Sequence, residues 1–582
     1  MIRHEIINKK VILHIKDRVC ESSRELIESA LFYDIVRLAI KRLEKNGSRL
    51  LAIIPDGCIN DSSTGILIAT IGELQRLPRE NVIKVVDGSK MFLSDAELFN
   101  GFVEYLYNFW RSFDRFIICD STGDRLDSRP YRTFNSTVEF LSDLVRSVYR
   151  DVQENITGRH SNVYRQVNAG AEVAAIALPM ELSLPPEWYQ KLKNMSVIRQ
   201  VLLVPPLILD PPINTRSGVF EKTEINPIDH IEFTADDWLC YPAKVGELLI
   251  FVYFYKEFFE LGFTLCNLFD LASLEELNRK PDAVYFFGVP GDAGYGFGDS
   301  PTVFHEDQSS GILVASVPFA DRFGYFGYLK KMVLTLHNIC MMRRGRLPYH
   351  GAMVRILLKG GVDKTLLVIG DTGAGKSETL EAFRTVGDDC IRDMVVIADD
   401  MGSLSIDENG DVIGYGTEIG AFLRIDDLQP GYAFGQLDRS IIMSPNKTNA
   451  RIVLPVTTYD EIIRGSRVDM VLYANNYEEI DEGHPVIELF TTSDEALRVF
   501  REGTVMSKGT TNTTGIVQSY FANIFGPPQY RDLYEELAQR YFTAFFNTGV
   551  IVGQIRTRLG LQGWEMIGPK EASRELLALL SK

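Results

Sequence analysis

The chain has 582 residues, 45% hydrophobic and 24% charged, a length that exceeds one compact core and calls for two or three domains. Its formal net charge of −17 argues against a nucleic-acid partner held through phosphates, and any anionic ligand needs a locally basic pocket. Seven scattered cysteines, none in a C-x-x-C pair, support neither a disulfide framework nor a zinc cluster, and free thiols in a reducing compartment are expected.

The first stretch, MIRHEIINKKVILHIKD, carries charges throughout and has no continuous apolar core, so it is not a signal peptide. Ser23 to Asn46 has helical periodicity, and short apolar runs such as LLAIIPDG read as β-rich. The polar stretch STGDRLDSRPYRTFNST reads as an exposed connection, and the Pro-rich pieces LSLPPEW and VPPLILDPPIN as surface loops or edge segments. VGELLIFVYFYKEFFELGF is the most apolar region. Glu247, Lys256 and Glu257 interrupt it, so it reads as a buried strand followed by a helix, not as a membrane span. No membrane partner is expected, and the location expected is cytoplasmic. DAVYFFGVPGDAGYGFGDSPTVF, dense in Gly and aromatics, suggests a β meander or a functional loop.

From about Tyr349 the texture changes. MVRILL, TLLVIG, MVVIAD, RIVLPV and VDMVLYAN read as strands, and Tyr530 to Phe546 as a helix. The expectation is a mixed α/β protein with a boundary near residue 340: an α/β half over 1–340 and a nucleotide-binding half over 341–582.

LLVIGDTGAGKSETLEAF, Leu366 to Phe383, carries the chemistry. An apolar run leads into a G-x-x-x-x-G-K-S loop, made of Gly370, Asp371, Thr372, Gly373, Ala374, Gly375, Lys376 and Ser377, with Glu378 directly after it. The glycines let backbone N–H groups crowd round an anion, and a helix begins where the loop ends. Lys376 can reach the β- and γ-phosphates, and the Ser377 hydroxyl can ligate Mg²⁺. Downstream, MVVIADD ends an apolar strand in Asp399 and Asp400, two carboxylates that are costly there unless a cation is near.

ITGRHS, YFGYLKK, YHGAMV, GDTGAGKS, IADD, EIGAFLR and NARIVLP follow one another between Thr157 and Pro455. In that order they resemble the motifs of the phosphoenolpyruvate carboxykinase superfamily, most of all its ATP-dependent branch: T-G-R-S-P, Y-x-G-x-x-K-K, H-C-S-A-N, the phosphate loop, D-D, E-G-G-x-Y-A-K and N-x-R-V-x-Y-P. The stretch from His350 to Asp400, with Glu378 after the loop serine, also resembles the core of HPr kinase/phosphorylase. That second family has no counterpart to ITGRHS and YFGYLKK.

The first resemblance implies a two-domain carboxykinase-like fold and a phosphoryl transfer between a nucleotide and a small dicarboxylic acid, oxaloacetate giving phosphoenolpyruvate. It implies ATP or another nucleoside triphosphate with Mg²⁺, held by the loop, Ser377 and Asp399 or Asp400. It implies a second metal, Mn²⁺, on Lys331, His350 and Asp400. Arg159 and Tyr325 match the positions that hold the substrate carboxylate. Arg451, and Arg424 in place of the family's lysine, match those beside the γ-phosphate; Lys376, Arg451, Lys331 and Asp400 are the catalytic set. Ser507 to Gly515 is the candidate lid. Some positions depart from the family: D-D-E-H-x-W becomes DDMGSL, and Thr513 or Thr514 stands where an arginine lies near the base, which opens the choice of donor. A kinase of the HPr kinase type and a non-catalytic nucleotide-binding protein are the alternatives.

Overall fold

The computed structural model describes residues 3–16, 18–54, 60–120, 130–291, 301–387, 389–425, 434–508 and 514–581. Its contacts divide the chain into two units: Met1–Leu178 with Ile198–Val204, and Pro179–Val197 with Pro205–Lys582. Both are mixed α/β.

In the first unit the strand Lys10–Ile15 pairs in parallel with Asp114–Cys119, which pairs in parallel with Val173 to Ile176. Arg3–Ile7 adds an antiparallel strand beside Lys10–Ile15. The helical stretch from Ser23 is two helices, Ser23–Ile27 and Ala30–Lys45. The break falls at Ser29, whose hydroxyl accepts from the Phe32 N–H and caps the second helix. LLAIIPDG contains no strand among its described residues. Arg49–Ile53 is a 3₁₀ turn capped by Ser48, because a short apolar run can bury Ile53 and Ile54 in either conformation. The polar stretch after Asp120 is shorter as a connection than its composition suggests. Residues 121–129 lie outside the described set, and a helix runs over Pro130–Thr157.

In the second unit, LSLPPEW contributes a helix, Pro186–Leu192, because proline suits the first helical position. The apolar region is the buried strand Leu248–Tyr255 followed by the short helix Phe259–Thr264. Leu248–Tyr255 lies between Trp238–Val245 and Ala283–Val289, and Leu313–Pro318 follows. Of the Gly-rich meander, 292–300 lie outside the described residues. The helix Phe326–Arg343 buries all of its residues except Lys331 and Arg343. A helix covered all round belongs to the interior of one body. A boundary near residue 340 would cut through it.

The sheet that carries the phosphate loop runs Val412–Gly416, Met401–Ile406, Leu347–Leu358, Asp363–Ile369, Met470–Asn475, Ile551–Arg556, and Ile391–Ala398 also pairs with Leu347–Leu358. Asp363–Ile369 is antiparallel to Leu347–Leu358 and parallel to Met470–Asn475. A smaller sheet sets Gly420–Arg424, Arg451–Pro455, Ile441–Met443 and Leu207–Leu209 side by side. The helix read from Tyr530 to Phe546 spans Arg531–Asn547, and a last helix, Gly568–Leu580, follows it. No described helix is long and apolar enough to cross a membrane.

Candidate functional site

The phosphate loop leaves the sheet after Ile369 and enters the helix Lys376–Val386. Gly373 and Gly375 have φ of 78° and 94°, the left-handed region that a side chain strains. A Cβ on Gly375 would also stand 2.6 Å from Thr557 Oγ1. Two side chains pin the loop from behind: Thr557 Oγ1 donates to the Ala374 carbonyl at 2.7 Å, and Asn476 Nδ2 to the Gly373 carbonyl at 2.9 Å. Lys376 is buried, and its ammonium donates to the carbonyls of Gly370 and Asp371 at 2.7 and 3.1 Å. A cation thus sits against loop backbone at a helix N-terminus, an arrangement that can receive an anion such as phosphate.

The register of the sheet brings two more groups to the same place. His350 pairs with Met401, and its neighbour Gly351 with Ile369, so the central strand delivers the histidine between the carboxylates and the loop. Ser377 Oγ lies 3.5 Å from Asp399 Oδ1. Burial, then the neighbouring Asp400 charge, pushes the Asp399 carboxyl up to about 6. Burial works to raise Asp400 too, but Lys330 and His350 outweigh it and hold that carboxyl well below the usual range. Lys330 Nζ bonds Asp400 Oδ2 at 2.8 Å and reaches Glu418 Oε1 at 3.2 Å. Burial pushes Glu418 up to about 8 despite that lysine.

A cleft of about 260 Å³ gathers these groups with side chains distant in sequence. Asp371, Thr372, Gly373, Lys376, Ser377, Glu378, Asp399, Asp400 and His350 line it together with Tyr325, Lys331, Arg424 and Arg451. All lie in the second unit. Gly370, Ala374 and Gly375 form the loop without lining the cleft. Burial, then the Arg216 charge, pulls the Lys331 amine down to about 8, and it lies 4.7 Å from the Phe525 ring centroid. Burial raises the Tyr325 hydroxyl, with Arg451 working against it. Arg424 and Arg451 face each other across neighbouring strands, an unfavourable pairing of like charges unless an anion lies between.

Arg159 is not among the residues that line the cleft. It belongs to the first unit, where it is exposed and its N–H donates to the Thr157 hydroxyl. The cleft contains another arginine, Arg216, which sequence reasoning missed. Its Nη1 donates to the Gly218 carbonyl at 2.7 Å, and its guanidinium carbon lies 5.0 Å from the Phe220 ring centroid. Among the described residues none of Arg216, Lys331 and Arg451 forms an ion pair, and the Nε atoms of both arginines are buried without a hydrogen-bond partner. The signal lay in NTRSGVF, an arginine among small residues after a Pro-rich segment. Asn449, Phe525 and Glu418 were missed as well. Of the candidate lid, Ser507 lines the cleft, and 509–513, with Thr513, lie outside the described residues.

Among the described residues no group of three or more His, Cys, Asp and Glu side chains could hold a metal ion. The set expected here is one imidazole, one carboxylate and one amine. His350 Nδ1 faces the Ala522 carbonyl, which can only accept, so Nδ1 carries a proton; Nε2 lies 3.0 Å from Asp400 Oδ1, within hydrogen-bond distance, and would turn its lone pair to a cation only once its own proton is displaced. A ring nitrogen and a carboxylate oxygen held side by side could both serve one divalent ion in place of that proton. With an amine drawn toward neutrality nearby, the donor set fits a divalent cation that accepts nitrogen, as Mn²⁺ does. No protein-family model and no curated protein matches this chain.

Proposed function

We propose that this protein is a nucleotide- and metal-dependent phosphoryl-transfer enzyme of the phosphoenolpyruvate carboxykinase type, acting on a small dicarboxylic acid, with oxaloacetate as the substrate. One observation carries the reading. Two guanidinium groups without an ion pair among the described residues, Arg216 and Arg451, share a cleft with Lys331, a phosphate loop and a half-buried carboxylate pair. A strongly acidic protein keeps such a cluster for an anion.

The roles follow from the side chains. Lys376 and the loop amides hold the triphosphate. Arg216 and Tyr325 hold a substrate carboxylate, the guanidinium by paired N–H donors, so that Arg216 takes the part the resemblance gives to Arg159. Ser377 with Asp399 would hold the nucleotide cation, and Lys331, His350 and Asp400 a second one; such ions would neutralise phosphate charge and draw electrons from the substrate oxygen. Loss of CO₂ breaks a C–C bond of oxaloacetate and leaves its electron pair in an enolate. The enolate oxygen then bonds the γ-phosphorus as the bond to ADP breaks. Arg424 and Arg451 stabilise charge on the equatorial oxygens.

The test is exchange of labelled CO₂ into oxaloacetate by purified protein with ATP or GTP, Mg²⁺ and Mn²⁺. The reading predicts exchange that requires nucleotide and Mn²⁺ and falls at least about a hundredfold in Lys376→Met. Absence of exchange, with label from γ-phosphate appearing on a protein, would replace it with the kinase reading.

A further inference from the structure

YFGYLKK contains two adjacent lysines that the fold treats differently. Successive residues of a helix project about 100° apart, so Lys330 and Lys331 cannot serve one point. Lys331 lines the cleft. The Lys330 side chain is 1% exposed, and its ammonium ends between two carboxylates, Asp400 and Glu418. Glu418 is fully buried as well. Among the described residues neither of its oxygens has a hydrogen-bond partner, and Lys330 is its charge partner. A carboxyl buried this way is costly, and packing alone gives no reason to keep it.

We propose that Lys330, backed by Glu418, is a positioning residue for the metal site: it occupies Asp400 Oδ2 and so presents Oδ1 alone beside His350 Nε2. The inference rests on the metal-dependent reading above. A carboxylate free to turn could offer both oxygens to the cation or swing away from the imidazole. Here one oxygen is held at 2.8 Å by an ammonium, and the other stands 3.0 Å from the ring nitrogen. The His350 ring is itself fixed by the Ala522 carbonyl. A chain of buried contacts, Glu418 to Lys330 to Asp400 and Ala522 to His350, therefore sets the spacing of two ligands before any cation arrives.

The test is Mn²⁺ titration of the whole protein, followed by electron paramagnetic resonance without nucleotide or substrate, for wild type, Lys330→Met and Glu418→Gln. Binding of a fluorescent ATP analogue in EDTA checks that the loop is intact. The inference predicts that Lys330→Met weakens Mn²⁺ binding at least about tenfold while nucleotide binding in EDTA stays within about twofold. Glu418→Gln, which keeps the volume, weakens it by a smaller factor. Equal Mn²⁺ affinity in wild type and Lys330→Met overturns the inference and leaves the functional reading standing. If Lys330→Met does not fold, Glu418→Gln decides, and wild-type affinity in that variant overturns the inference. A wild-type protein with no Mn²⁺ affinity overturns the functional reading and this inference with it.

Discussion

Gly375 shows how narrowly single positions are set. Its φ of 94° puts it where a Cβ costs about 1–2 kcal/mol, and Thr557 Oγ1 stands 2.6 Å from where that Cβ would be. Gly375→Ala must therefore displace the threonine that holds the Ala374 carbonyl. We expect nucleotide affinity to fall at least about tenfold, a loss of about 1.4 kcal/mol, with a smaller change in unfolding temperature. Equilibrium titration with a fluorescent ATP analogue checks it, and unchanged affinity would mean that the loop adapts. The loop was legible in the sequence because its geometry is local, with glycines, lysine and serine at fixed offsets between a strand and a helix. Thr557 and Asn476 were not. They act on the loop from 183 and 103 residues away, and no spacing rule reaches that far.

At the scale of elements, the helix Phe326–Arg343 organises the second unit. It is apolar on most of its circumference, so its sequence lacks the one-sided stripe that marks a surface helix, and a boundary near its end looked natural. The strands from Leu347 onward were readable because each is a short β-rich run between turn residues. LLAIIPDG has the same texture without the same outcome, since nothing within it favours a strand over a 3₁₀ turn.

The same helix also carries a pH-sensitive residue. His337 is buried beside Asn338, and burial lowers its pKa to about 4; Asn338 and Glu247 work to raise it, Arg346 and Arg344 to lower it. The unfolded chain takes up this proton near 6.5, and the folded chain refuses it until about 4. Between those values the unfolded state binds more protons. Stability is therefore lost as pH falls through that window and is unaffected above it, with about 3 kcal/mol as the upper bound. Urea unfolding at pH 7.5 and 5.0 should show wild type losing more stability than His337→Gln, and equal losses would show that the ring is hydrated in the folded state.

Across the whole molecule, the formal charge of −17 coexists with a cleft rich in arginine and lysine. The motif order predicted groups from both sides of residue 340 round the loop. Tyr325 and Lys331 do meet His350 and Asp400 there, because the helix that follows Tyr325 and carries Lys331 is interior to the same unit. Arg159 was chosen on the three-residue match Thr157-Gly158-Arg159, whereas Arg216 lines the cleft. The account now turns on which arginine holds the carboxylate. Equilibrium dialysis of labelled phosphoenolpyruvate, with Mn²⁺ and ADP present, compares wild type, Arg216→Met and Arg159→Met. The account predicts at least about tenfold weaker binding for Arg216→Met, as removal of a bidentate carboxylate contact requires, and wild-type binding for Arg159→Met. Wild-type binding in Arg216→Met, with the loss in Arg159→Met, would contradict it.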